Sequence, residues 1–269
     1  MNSLHLGLTF QSGIGSYDID NYKIEEWFQE QIQNHNNNIN SFINKYGELS
    51  AEEILKKIFP TPTQANIFIS HSHDDIDDAK KLAFILTNEF HENVFIDEYV
   101  WGSAENLLDQ INFNAYDVIS DTYDIDQSCL NASSIYILLA NAISKVIHQC
   151  KFFIFLKSHN SLGCLTPSYT RSPWIYFELQ LINDIIKNEK RIMHQKGMIK
   201  EASSEQMNFP EIAFPADYKS FPSFSYRKLE IYFSNIENRN FFNQLIEDNS
   251  SLIENNFIEF CASLYNVKL

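Results

Sequence analysis

Glycine and proline are scarce in this sequence, seven of each in 269 residues, and cysteine is scarcer still at four. A chain with so little turn chemistry is a poor match for a loop-rich barrel and a better one for long helices and buried sheets. The cysteines, Cys129, Cys150, Cys164 and Cys261, form no CxxC pair and no even ladder. That argues against a zinc knuckle or a disulfide framework and fits small buried hydrophobes in a reducing cytosol. Basic residues are also few: 20 Lys and Arg against 35 Asp and Glu leave a formal charge of −15. With no basic patch, a nucleic-acid backbone is not an expected partner. Nor is there a basic N-terminal region leading into an apolar core, or an apolar stretch near the roughly 20 residues of a membrane helix. The expectation is a soluble, cytoplasmic protein with no membrane or nucleic-acid partner. What the chain has in quantity is aromatic side chain, 22 Phe and 13 Tyr, and enough length for one full core.

The patterning divides the chain in three. Residues 1–62 read as an N-terminal helical extension, with IEEWFQEQI and INSFINKYGELSAEEILKKIF at helical spacing around the polar connector QNHNNNIN. Residues 63–225 carry strand and helix in alternation. The strand IFI is followed by a helix whose apolar face is Ala79, Leu82, Ala83, Leu86 and Phe90, and then by the short strand VFID. SSIYILLANAISKVIHQC reads as a helix capped at Ser133 or Ser134, and KFFIFL as a third strand. SPWIYFELQLINDIIKNEK is a helix with Pro173 suited to its first turn. Residues 103–132 read as a surface insertion, and 191–225 as weakly patterned chain that adds a last strand to a sheet edge. Residues 226–269 read as a C-terminal helical extension. Apolar strands alternating with amphipathic helices specify an α/β fold, a central parallel sheet covered by helices on both faces.

The segment NIFISHSHDDIDDA, 66–79, stops an apolar strand at a cluster of hydroxyl, imidazole and carboxylate groups. One reading is a metal site, since HSHDD partly resembles the HxHxDH of metallo-β-lactamase-like hydrolases. The residue after the Asp at the fifth position, however, is Ile76, which cannot ligate, so a dinuclear site lacks a ligand and no metal is expected. A second reading is a strand end and a helix cap, with Asp74, Asp75, Asp77 and Asp78 against the positive end of the helix dipole. Further on, Glu178 interrupts the apolar run WIYFELQLI, and burying a carboxylate there is costly unless it is paired or protonated. Trp174, four residues before it, shares its helix face and suits a core position and a pocket wall equally.

IFISHSHDD, VFIDEYVW, FFIFLKSHNSL and SPWIYFEL together resemble, in order, the successive signatures of the Toll/interleukin-1 receptor (TIR) domain family. S-P-W-x-x-x-E-L, with its W-x-x-x-E, is the most specific of them. The resemblance covers about residues 64–190 and is closest to bacterial NAD-cleaving members of the kind found in Thoeris-like anti-phage defence. It implies a flavodoxin-like fold and cleavage of the nicotinamide–ribose bond of NAD+, a substrate rather than a bound cofactor. The products would be nicotinamide with ADP-ribose or a cyclic ADP-ribose isomer. It implies Glu178 as the catalytic carboxylate and Ser70, His71 and Ser72 on the loop that touches the nucleotide. Asp97 faces the same crevice or orients its loop, and Trp101 stacks on a base or serves as a packing residue. It further implies a homo-oligomer, with a nucleotide-activated effector protein or a phage-derived trigger as partner. The long 103–132 segment and both extensions depart from compact TIR domains. A non-catalytic TIR adaptor fits the same motifs.

Overall fold

The computed structural model describes residues 5–12, 18–31, 49–59, 64–97, 107–112, 116–117, 122–163, 168–193, 213–235 and 257–264. Five strands form one all-parallel sheet: β1 (Leu6–Gln11), β2 (Ile67–Ser70), β3 (Val94–Ile96), β6 (Phe152–Lys157) and β9 (Ser223–Phe224), in the order β3-β2-β6-β1-β9. Between β3 and β6 the two-residue strands β4 (Tyr116–Asp117) and β5 (Thr122–Tyr123) pair with each other. After β6, β7 (Tyr169–Thr170) pairs with β8 (Phe214–Pro215). The central strands are apolar at successive positions because helices cover both faces, and alternate side chains enter two separate cores.

The first core lies under α2 (Ala51–Lys57), α4 (107–112), α5 (Ile125–Gln149) and α6 (Pro173–Met193), and takes Phe68, Phe95, Phe153 and Phe155 from the sheet. The second lies under α1 (Asn21–Gln31), α3 (Ile76–Phe90), α7 (226–235) and α8 (Phe257–Leu264), and takes Leu8, Phe10, Ile67, Ile69, Ile96, Ile154 and Leu156. The strands therefore sort by parity onto the two faces, as their period of two requires. The α/β class with a central parallel sheet is as the sequence pattern leads one to expect, and the architecture is compatible with a flavodoxin-like fold.

Several boundaries differ from expectation. Residues 6–11 are not part of a helical extension but a strand near the middle of the sheet, paired with β6 from Leu6↔Phe152 to Gln11↔Lys157. LHLGLTF alternates apolar with small or polar residues at period two, a strand signal overshadowed by the longer helical segments that follow. Gly7 is required there by packing: a Cβ would run into the Phe221 ring. The two terminal regions are layers of the domain rather than appendages, since α1, α7 and α8 complete the second core. Helix α5 begins at Ile125, capped by the Asp124 side chain, which accepts from Gln127 N at 2.9 Å. Part of the presumed insertion is thus helix, and α4 buries Leu107 and Ile111. The edge strand expected within 191–225 is β9.

Among the described residues one helix, α5, is long and apolar enough by length and composition to cross a membrane, where none was expected. Its inner stripe of Ile135, Leu139, Ile143, Val146 and Ile147 is core. On its outer face Asn141, Lys145 and His148 are exposed, and so are Ile125, Leu130 and Ile137. A stripe of this kind beside mostly uncharged polar residues raises the average hydropathy without making the helix apolar all round.

Candidate active site at the carboxyl edge of the sheet

The register that builds the first core also builds a polar row above it. Phe68 pairs with Phe95 and with Phe153, and their rings stack at 5.8 and 5.7 Å. Two residues further along each strand, on the same face, lie Ser70, Asp97 and Phe155. Ser70 and Thr9 both pair with Phe155, and Asp97 follows one step beyond the Ile69↔Ile96 pair. An aromatic floor thus ends, at the carboxyl edge, in the line Thr9, Phe155, Ser70, Asp97. The β2 connection runs toward β3, whereas the chain leaving β6 runs toward β9 on the other side. The edge between β2 and β6 is therefore where the strand order reverses, the place where open α/β sheets bind ligands.

Helix α6 lays Glu178 over this line. Ser172 starts the helix, its Oγ accepting from Ile175 N at 3.2 Å, and Pro173 occupies the first helical position, where no amide hydrogen is required. Asn183 Nδ2 donates to Leu179 O at 2.8 Å and to Asp217 O at 2.6 Å, tying the helix to the chain before β9. Glu178 is 1 % exposed, Ser70 0 %, and His71 and Asp97 5 % each. Burial above all, and the nearby Asp97 charge second, push the Glu178 carboxyl well above the ordinary carboxylate range, with Ser70 opposing them. The Ser70 hydroxyl is close enough to favour the ionised form, yet neither Glu178 oxygen meets a hydrogen-bond partner of good geometry. His71 Nδ1 lies 3.1 Å from Asp97 Oδ1, an ion-pair separation with the ring N–H poorly aligned for a hydrogen bond.

The structure therefore brings together four of the residues singled out in the sequence: Ser70, His71, Asp97 and Glu178. Ser72 is half-buried at the start of the next turn, and its side chain makes no capping bond. Trp174 shares a helix face with Glu178, but its ring packs toward α5, edge-on to Tyr136 at 6.0 Å and near Phe177 at 6.3 Å. Trp101 lies outside the described residues. The two imidazoles of HSHDD diverge, His71 inward and His73 to the surface. Among the described residues no group of three or more His, Cys, Asp or Glu side chains is placed to hold a metal ion. Thr9 is the residue that sequence reasoning missed. Its Oγ1 is buried without a hydrogen-bond partner in the same polar row, and period-two alternation in LHLGLTF was the available signal.

The capping role expected of the acidic cluster is realised only in part. Asp77 and Asp78 fall in the first turn of α3, where the dipole favours them. Asp75 occupies the N-cap position, yet its carboxylate makes no capping bond and turns instead to the loop after β6. Comparison with family models, curated proteins and solved structures gives no match.

Proposed function

We propose that this chain is a TIR-type NAD+ glycohydrolase or cyclase with Glu178 as its catalytic carboxylate. The observation that carries this reading is a buried carboxyl group without a well-placed partner. It faces Ser70 and Asp97 at the reversal point of a parallel sheet, on the helix that bears the W-x-x-x-E resemblance. An apolar substitute at this position would avoid the cost of burying the group, so its retention points to a ligand of complementary charge.

The nicotinamide ring of NAD+ is cationic, and on departure it leaves positive charge on the ribosyl carbon and ring oxygen. The C1′–N bond breaks with its electron pair moving to the nicotinamide nitrogen, so no general acid is required. Approach of that positive charge reverses the penalty on ionised Glu178, which releases any proton it holds to solvent as NAD+ binds, and the carboxylate then offsets the developing oxocarbenium ion in a dry, low-dielectric setting. Water capturing C1′ gives ADP-ribose and a proton, and an internal nucleophile gives a cyclic isomer and a proton. Ser70 and His71 line the nucleotide-facing loop, and Asp97 holds His71 while supplying the second negative charge. In this reading the protein acts as an oligomer and its product addresses an effector.

A second reading, a TIR module that binds or assembles without turnover, draws on the depth at which Glu178 is buried, 1 % exposed. Incubating concentrated protein with NAD+, with and without Glu178→Ala, separates the two by chromatography and mass analysis. The enzymatic reading expects nicotinamide from the wild type alone. Intact NAD+ with both proteins overturns it in favour of the binding module.

A further inference from the structure

Resting on the reading of this crevice as the NAD+ site, we propose that Asp75 is a positioning residue that clasps its two walls together. Asp75 is buried, stands at the N-terminal boundary of α3, and leaves its own helix uncapped. Its Oδ1 accepts from Asn160 Nδ2 at 2.8 Å, and its Oδ2 accepts from the Ser158 hydroxyl. Both donors belong to the loop that leaves β6, the strand next to β2, so the carboxylate spans the point where the strand order reverses.

The far side of the clasp is itself closed. The Ser158 hydroxyl, while donating to Asp75, accepts the amides of Asn160 at 3.0 Å and Ser161 at 2.9 Å. Ser158 N in turn donates to the buried Ser161 Oγ at 2.9 Å. Ser158 is thus the hub of a turn whose amides are satisfied only while it folds this way, and Asp75 anchors that hub to the loop bearing Ser70 and His71. A helix-capping role leaves this partner choice unexplained, because a capping carboxylate accepts from its own first turn. The clasp sets the width of the crevice and the direction of the nucleotide-facing loop, whereas Glu178 is placed separately by α6. Loss of Asp75 therefore acts on substrate binding more than on the bond-breaking step.

The test compares the full chain with Asp75→Ala, Asp75→Asn, Ser158→Ala and the double variant Asp75→Ala/Ser158→Ala. Without any ligand, hydrogen exchange at the amides of Asn160 and Ser161 should speed by about tenfold or more in Asp75→Ala and Ser158→Ala. The double variant should be no worse than either single one, because both break the same link. With NAD+, Asp75→Ala should raise KM by about tenfold with kcat within about twofold, as expected for a lost positioning contact. Asp75→Asn, which keeps one acceptor oxygen, should recover part of that loss. Unchanged exchange, additive effects in the double variant, a fall in kcat with KM unchanged, or a lowered KM would each overturn the clasp. If the wild type leaves NAD+ intact while the exchange pattern appears as expected, the clasp stands and the NAD+ reading of the site fails.

Discussion

Replacing Glu178 by glutamine tests the electrostatics of the site with no need for substrate. In the folded protein burial raises this carboxyl well above its ordinary value of 4.5, so between 4.5 and the raised value the native state holds a proton that the unfolded chain has released. A raised acid contributes stability that is complete below the unfolded pKa and drains away as pH rises toward the folded one. Within that window the slope is about −1.4 kcal/mol per pH unit. Each pH unit inside it separates wild type from Glu178→Gln by about 1.4 kcal/mol, which at about 2–4 °C per kcal/mol for a chain of this size is about 3–6 °C in Tm. The glutamine also lacks well-placed partners, but that cost does not vary with pH and enters only as a constant offset. Urea or thermal unfolding of both proteins from about pH 5 to about pH 8, at fixed ionic strength, measures the difference directly. The variant should gain on the wild type as pH rises, and the pH at which the gain levels off reports the folded pKa. A difference that stays flat from the lowest pH means that Glu178 is ionised throughout in the native state, and the account of the site as a desolvated, charge-demanding pocket is then wrong.

The remaining expectations concern the frame around the site. Gly7→Ala should cost about 1–3 kcal/mol by denaturant unfolding, because its methyl group meets the Phe221 ring in a packed layer. His91 closes α3 in the left-handed region at φ 56°, so His91→Gly should raise stability by up to about 1 kcal/mol. Thr9→Val removes a buried hydroxyl without a partner and should be neutral or stabilising by up to about 1 kcal/mol in thermal unfolding. A clear loss of stability there would mean that the hydroxyl has a partner after all.

Much of the layering is legible in the residue pattern alone. IFIS, VFID and FFIFL are short runs, apolar at successive positions and rich in Ile and Phe, as strands buried on both faces require, and the helices between them carry their apolar stripes at the expected spacing. Glu178 stood out because it breaks an apolar run, and it proves to be buried over the sheet edge. The first strand was not legible in the same way: six residues of alternation are a short signal beside the helical segments that follow, and their place next to β6 depends on partners 146 positions away, as in Leu6↔Phe152. His71 and His73 look equivalent in HSHDD, yet one turns in and the other out because a turn of 3₁₀ helix begins between them. Trp174 packs toward α5 because Tyr136 is there to receive it.

Residue order carries the local physics: which segments alternate at period two, which carry a helical stripe, where a proline can open a helix, and which carboxylate is out of place. Those properties depend on neighbours a few residues apart, and so they survive in a one-dimensional reading. Long-range packing sets the parallel register that puts Thr9, Phe155, Ser70 and Asp97 in one row, the helix that lowers Glu178 onto it, and the reach of Asp75 across to Ser158 and Asn160. These are pairings between distant segments, selected by the simultaneous packing of two cores against one sheet, and no local pattern encodes them.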